Sequence, residues 1–174
     1  PRAIANYAVR FDFKGRSSHA SSAPEQGRSA LDACELMNVG VNYLREHLPT
    51  STRLHYAYLD CGGEAPNVVQ DHASLLYYVR GPRLSQCGEV LERVKKIAQG
   101  AALMTETEVN IRVLGGLNDY IPNPTASKLL ADAFEALGGP EFGEEEYAIA
   151  RKFLEAMPEE DRRKAIAAGA KING

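Results

Sequence analysis

An α+β fold, with one four-stranded antiparallel sheet and two helices on one of its faces, is predicted for this chain by three observations. Four stretches alternate apolar and polar residues with the period of two that a half-buried strand needs. Two longer stretches repeat apolar residues every three or four positions, the period of an amphipathic helix. Over residues 5–116 these stretches follow one another as β-α-β-β-α-β, which is the ferredoxin-like order.

The first strand is residues 7–14. Tyr7, Val9, Phe11 and Phe13 point one way, and Ala8, Arg10, Asp12 and Lys14 the other. Residues 15–27 form a polar loop of Gly, Ser and Pro with one histidine. A helix follows on Ala30, Ala33, Cys34, Met37, Val41, Leu44 and Leu48, and Pro49 with Thr50, Ser51 and Thr52 stops it. Residues 54–60 alternate again and run into the turn-rich segment from Cys61 to Asn67. The third strand, 73–80, ends at Gly81 and Pro82. The second helix, 85–104, carries Val90, Leu91, Val94, Ile97, Ala98, Ala101 and Met104. The fourth strand is 108–114, with Gly115 and Gly116 expected to close it.

The segment 117–174 differs in character. Ala126, Leu129, Leu130, Ala133, Phe134 and Leu137 predict a short helix ended by Gly138 and Gly139. Two charged helices are expected over 144–157 and 158–168, with Pro158 at a first helical position. Their apolar stripes are too narrow to build a core alone. They are expected to dock on a surface supplied by other parts of a longer protein, and the absence of an initiator Met fits that expectation.

Composition narrows the function. A chain with 44% hydrophobic and 25% charged residues is a water-soluble globular type. No apolar run reaches the ~18 residues of a membrane span, and no signal peptide opens the chain. A net charge of −3 argues against nucleic acid, whose phosphates require a basic face. Cys34, Cys61 and Cys87 are odd in number and form no CxxC pair, which suits reduced thiols in a cytoplasm, each a small buried apolar residue.

Among the four histidines, His47 sits near a helix end, where a cation favours the dipole. His55 is on the strand face opposite Tyr56 and Tyr58, and His72 is in a polar turn. None has a second ligand at metal spacing, so no cofactor is expected within this segment. His19 stands apart, in a loop between a strand and a helix, where rigid flanks commonly hold functional groups. Read locally, a solvated loop histidine is the commoner outcome. The run Glu144-Glu145-Glu146 opens a helix, where acidic residues complement the dipole, and has no histidine partner. Asn67 and Arg80 are each ordinary turn and strand-end residues, but with His19 they make a donor set suited to a carbonyl oxygen or carboxylate.

These residues carry a resemblance. The run from Phe13 to Ala20, then Pro24 and Gly27 to Ala33, resembles the opening of the dimerisation (satellite) domain of the zinc aminoacylase and carboxypeptidase family. Gly62 to Val69 followed by Arg80 resembles that domain's second motif. Residues 37–47, 123–125, 139–142 and 144–147 are similar to the subgroup of aminobenzoyl-glutamate utilisation protein B-like amidohydrolases. The resemblance implies a satellite domain over 5–116 and, over 117–174, helices of an incomplete catalytic domain. It implies a homodimer, a small amide substrate, and two zinc or other divalent ions held outside this segment. His19 would reach the partner subunit's active site and stabilise an oxyanion, with Asn67 and Arg80 binding substrate. Some carboxypeptidase-type members place an Arg just after the last strand, where this chain reads Gly115-Gly116-Leu117-Asn118-Asp119.

Two other readings share the fold. One is a purely structural dimerisation module. The other is a binding module on the bare sheet face, with Tyr56, Tyr58, Tyr77 and Tyr78 as its aromatics, although no RNA-recognition signature accompanies them.

Overall fold

The computed structural model describes residues 3–172, and the chain divides into two units between Pro122 and Asn123. The first unit has β1 (Ala5–Lys14), α1 (Ala30–Arg45), β2 (Arg53–Asp60), β3 (His72–Gly81), α2 (Leu84–Thr105) and β4 (Glu108–Leu117). The sheet order is β2-β3-β1-β4 with every neighbouring pair antiparallel, as the predicted fold requires.

Alternation places Val9, Phe11 and Phe13 of β1 and Ala73, Leu75, Tyr77 and Val79 of β3 on one face, all buried. The helices cover that face. α1 brings Ala33, Cys34, Met37 and Val41, and α2 brings Val90, Leu91, Val94, Ala98 and Ala101. Phe11 meets Tyr77 edge to face at 5.6 Å. The Ser29 hydroxyl accepts from the Asp32 backbone N–H at 3.0 Å and starts α1.

One polar group enters this core with its partners. Asn38 of α1 donates through Nδ2 to the Tyr58 hydroxyl (3.2 Å), and its Oδ1 accepts from the Tyr77 hydroxyl (2.5 Å). Burial pushes both phenols up, Tyr58 to about 12, so both remain protonated donors.

Four expectations are corrected. Gly115 and Gly116 do not close β4 but continue it to Leu117, because a bulge opposite Ala8 and Val9 restores pairing with β1. A Cβ on Gly116 would lie 2.8 Å from the Tyr7 ring, so glycine lets that ring cover the strand. Tyr56, Tyr58 and Tyr77 face the helices, and Tyr56 stacks on Tyr77 at 5.4 Å, leaving Tyr78 as the one aromatic of the four on the bare face. Cys34 and Cys87 are buried, but Cys61 is exposed because it follows β2 at the rim.

The second unit has α3 (Pro124–Leu137), α4 (Glu144–Ala156) and α5 (Glu159–Ile172). The Asn123 side chain caps α3 by accepting from the Ala126 N–H at 3.0 Å. The Glu146 carboxylate accepts from the Gly143 N–H at 2.9 Å, which accounts for the acidic run as an N-terminal cap. Pro158 precedes α5, its carbonyl accepting from Arg162, instead of occupying a helical position. No residue of α3 or α4 is buried, and Leu129, Phe134 and Phe153 are exposed. Among the described residues no helix is long and apolar enough to cross a membrane.

Candidate functional site

The β1–α1 loop is stitched to the β2–β3 loop by backbone hydrogen bonds. Gly15 donates to Asp71 (2.7 Å), Val69 to Ser18 (2.9 Å), Ala20 to Asn67 (2.9 Å) and Ala30 to Gln70 (2.8 Å). Arg16 and Arg28 exchange two bonds, at 2.9 and 2.8 Å, and close the loop on itself. Close approach explains the glycines. A Cβ on Gly15 would sit 1.9 Å from the Arg28 carbonyl oxygen, and one on Gly27 would sit 2.5 Å from Ser18 Oγ. Arg28 anchors the loop to the end of α2, its Nε 2.8 Å from Glu106 Oε2, and donates to the Glu25 and Gly27 carbonyls. Exposed as it is, that ion pair adds about 0–1 kcal/mol, so its consequence is positional.

His19 lies at the tip of this structure, paired in register with Val68. Its Nδ1 accepts from the backbone N–H groups of Ser21 and Ser22, both at 3.3 Å, and lies 3.2 Å from Ser21 Oγ. Backbone amides can only donate, so Nδ1 must accept, and the proton of the neutral ring is on Nε2. Nε2 has no partner among the described residues, and the ring is exposed. The loop therefore presents an N–H donor, oriented from behind, to whatever approaches its tip.

Asn67 stands beside His19, its carbonyl bound by the Ala20 N–H. Arg80 does not. Lys14 pairs with His72 at the His19 end of the sheet and Asn6 with Arg80 at the other, eight residues along β3, or roughly 26 Å at ~3.3 Å per residue. The three predicted site residues thus fall into two groups at opposite ends of one sheet. At the Arg80 end, Arg80 Nε and Asn6 Oδ1 are buried without hydrogen-bond partners, and Arg53 of β2 pairs in register with Arg80.

The other titratable residues are structural. His72 opens β3 instead of lying in a turn, with Nδ1 2.6 Å from Asp71 and Nε2 3.4 Å from Asp60. The hydrogen bond to Asp71, reinforced by the charge of Asp60, raises its pKa above the usual imidazole range. This clasp closes the base of the loop that carries Asn67. Burial pushes the Cys34 thiol up to about 12 and raises that of Cys87, so neither is an activated nucleophile. Among the described residues no three His, Cys, Asp or Glu side chains group as metal ligands.

Residues 2–106 match the model of the family described as Peptidase dimerisation domain. The chain belongs to this family. It is 42% identical over 165 residues to a p-aminobenzoyl-glutamate hydrolase of Escherichia coli (strain K12), covering 95% of this chain and 34% of that protein. It is 30% identical over 118 residues to the indole-3-acetyl-aspartic acid hydrolase of Enterobacter agglomerans, covering 67% of this chain and 27% of that protein. A solved aminobenzoyl-glutamate utilization protein from Klebsiella pneumoniae superposes with a TM-score of 0.62 at 26% identity, over 79% of this chain and 35% of its own. The dimerisation domain described here therefore spans about a third of the length of these relatives.

Two functional features of this dimerisation domain were not read from the sequence. The amides of Ser21 and Ser22 set the His19 tautomer, and the signal was present as two small residues following His19-Ala20. Arg53 opposite Arg80 could be found only with the strand register in hand.

Proposed function

We propose that this dimerisation domain lends an oxyanion-stabilising donor, His19, to the active site of a partner subunit in a metal-dependent amidohydrolase. The observation that carries the reading is the pair of backbone N–H groups on His19 Nδ1, which leaves Nε2–H free at the tip of a braced loop. An imidazole so held can donate to the oxygen of a scissile amide as charge develops there, without reorganising. Asn67, fixed beside it, offers a second amide donor. The divalent ions that a metal-dependent hydrolase of this kind uses do not fit the described residues, which hold no ligand cluster, and they belong to the catalytic domain of the longer protein.

Arg80 and His19 are too far apart in one protomer to touch one small amide. A pocket using both takes Arg80 from one protomer and His19 with Asn67 from the other. The relatives named for p-aminobenzoyl-glutamate and indole-3-acetyl-aspartic acid act on aryl-acyl derivatives of acidic amino acids, and we assign that substrate class to the parent of this domain. The exposed apolar residues of α3 and α4 would pack on its catalytic domain, and reduced thiols suit a cytoplasmic enzyme.

The test uses only residues of this domain. In the longer protein, His19→Ala and Arg80→Ala homodimers are each expected to be nearly inactive. Mixing them in equal amounts with subunit exchange should restore about a quarter of the wild-type activity, because half the dimers are mixed and each has one intact site. A mixture as inactive as both parents would overturn the shared pocket.

The homodimer itself is proposed to form across β2. The two free edges are β2 and β4, and the bulge on the β1–β4 side bends β4 away from further pairing, whereas β2 is regular from Arg53 to Tyr58. Ala57→Lys on β2 should shift the mass measured by ultracentrifugation from dimer to monomer at tens of micromolar. Val113→Lys on β4 should not, and the reverse pattern would move the interface to β4.

A further inference from the structure

We propose that the bare face of β2 and β3 is a binding subsite for an aryl-acyl amino acid, with an aromatic shelf beside a pair of guanidinium groups. The proposal rests on the substrate class assigned above only for the choice of ligand. The site itself follows from the register of the two strands.

His55 pairs with Tyr78, and Ala57 pairs with Leu76, on the face away from the helices. Together they line a shallow, mainly apolar cleft of about 270 Å³, larger than the ~150 Å³ cavity that admits a benzene ring. Tyr78 is 42% exposed there, an aromatic surface turned towards solvent on a sheet whose other side holds the core. One register step further along the same face, Arg53 pairs with Arg80.

Like charges directly opposite on neighbouring strands repel. No carboxylate pairs with either arginine among the described residues, although Asp12 on the same face takes both Arg10 and Arg112. Arg53 is held by the carbonyls of Thr50 and Thr52, which fixes its guanidinium without neutralising it. Arg80 Nε is buried without an acceptor, next to the equally unpartnered Asn6 Oδ1. Two uncompensated guanidinium groups and an orphaned buried N–H call for an anionic acceptor, and guanidinium groups match carboxylates in shape.

The spacing fits one ligand. Tyr78 and Arg80 are two residues apart on one face, about 6.6 Å along the strand. That is close to the distance from an aromatic ring, across one amide, to the carboxylate on the next carbon. A ring on Tyr78 and His55 therefore brings an α-carboxylate to Arg80, and Arg53 lies beside it for a second carboxylate. The scissile amide would lie between them, open to the partner's loop.

The experiment is a titration of the isotope-labelled chain followed by NMR, with N-benzoyl-L-glutamate, N-acetyl-L-glutamate, benzamide and inorganic phosphate as probes. N-benzoyl-L-glutamate should move the Arg80 Nε–H and the ring signals of Tyr78 and His55. Losing the ring or losing the carboxylates should each weaken binding by about tenfold or more. Tyr78→Ala should lower N-benzoyl-L-glutamate to the affinity of N-acetyl-L-glutamate, and Arg53→Gln should weaken both while leaving benzamide unchanged. Both side chains are exposed, so the backbone spectrum away from this face should remain that of the parent. Equal affinity for all probes, phosphate binding as tightly as N-benzoyl-L-glutamate, or shifts confined to other surfaces would overturn the subsite. Failure of the mixed-dimer experiment with this titration succeeding would remove the shared pocket and leave the subsite standing. The opposite pair of results would do the reverse.

Discussion

Replacing His19 by alanine in the longer protein lowers turnover by about a hundredfold or more, the scale measured when one oxyanion donor is removed. The loss should appear in kcat with little change in KM, because the donor acts on charge that develops only in the transition state. Metal content and dimer mass should be those of the parent, since the ring is exposed and buries nothing. His19→Gln separates donation from bulk. Glutamine still offers an N–H and should recover part of the lost turnover, while His19→Leu, similar in size but without a donor, should not. Steady-state kinetics on the three variants decides the matter. A loss below about fivefold for His19→Ala, well short of that scale, would make His19 a bystander of the loop.

Gly15→Ala should have the second largest effect, and on two readouts at once. A methyl group there meets the Arg28 carbonyl oxygen at 1.9 Å, and that oxygen is backbone, already accepting from Arg16. The loop must move, loosening the Arg16–Arg28 pair and the bond from Gly15 to Asp71. Overpacking of this kind costs about 1–3 kcal/mol, and each backbone bond lost adds about 1 kcal/mol. Thermal and urea unfolding of this chain should report that loss of stability. In the longer protein turnover should fall as well, because the same strand–loop ladder positions His19. Gly100→Ala is the control. It lies inside α2 with open space around its Cβ, and alanine there should stabilise by about 0.5–1 kcal/mol. If Gly15→Ala unfolds like the parent, the close approach at that glycine is not a constraint.

The sheet, its two helices and their order were legible in the amino-acid sequence because each half-buried element writes its own period into the chain. Val9, Phe11 and Phe13 alternate, and Ala33, Met37 and Val41 recur by turns, whatever their distant neighbours are. His19 was legible as a candidate for a similar local reason, standing in a short polar loop between a strand and a helix. What remained hidden depends on pairs of residues distant in sequence. The continuation of β4 through Gly115 and Gly116 required the bulge opposite Ala8 and Val9. Tyr77 and Tyr78 look alike in the chain, and only the register sends one to Asn38 and the other to the bare face.

The separation of Arg80 from His19 and Asn67 is the clearest case. The sequence by itself determined that three donor residues were present and which element each belonged to. Antiparallel pairing of β1 with β3 then carried Arg80 to the far end of the sheet while the crossing loops drew Asn67 to His19. Residue identity and local period are properties of the chain. Which donors can share one ligand is set by strand direction and register, and those come into being only when distant segments hydrogen-bond across the sheet.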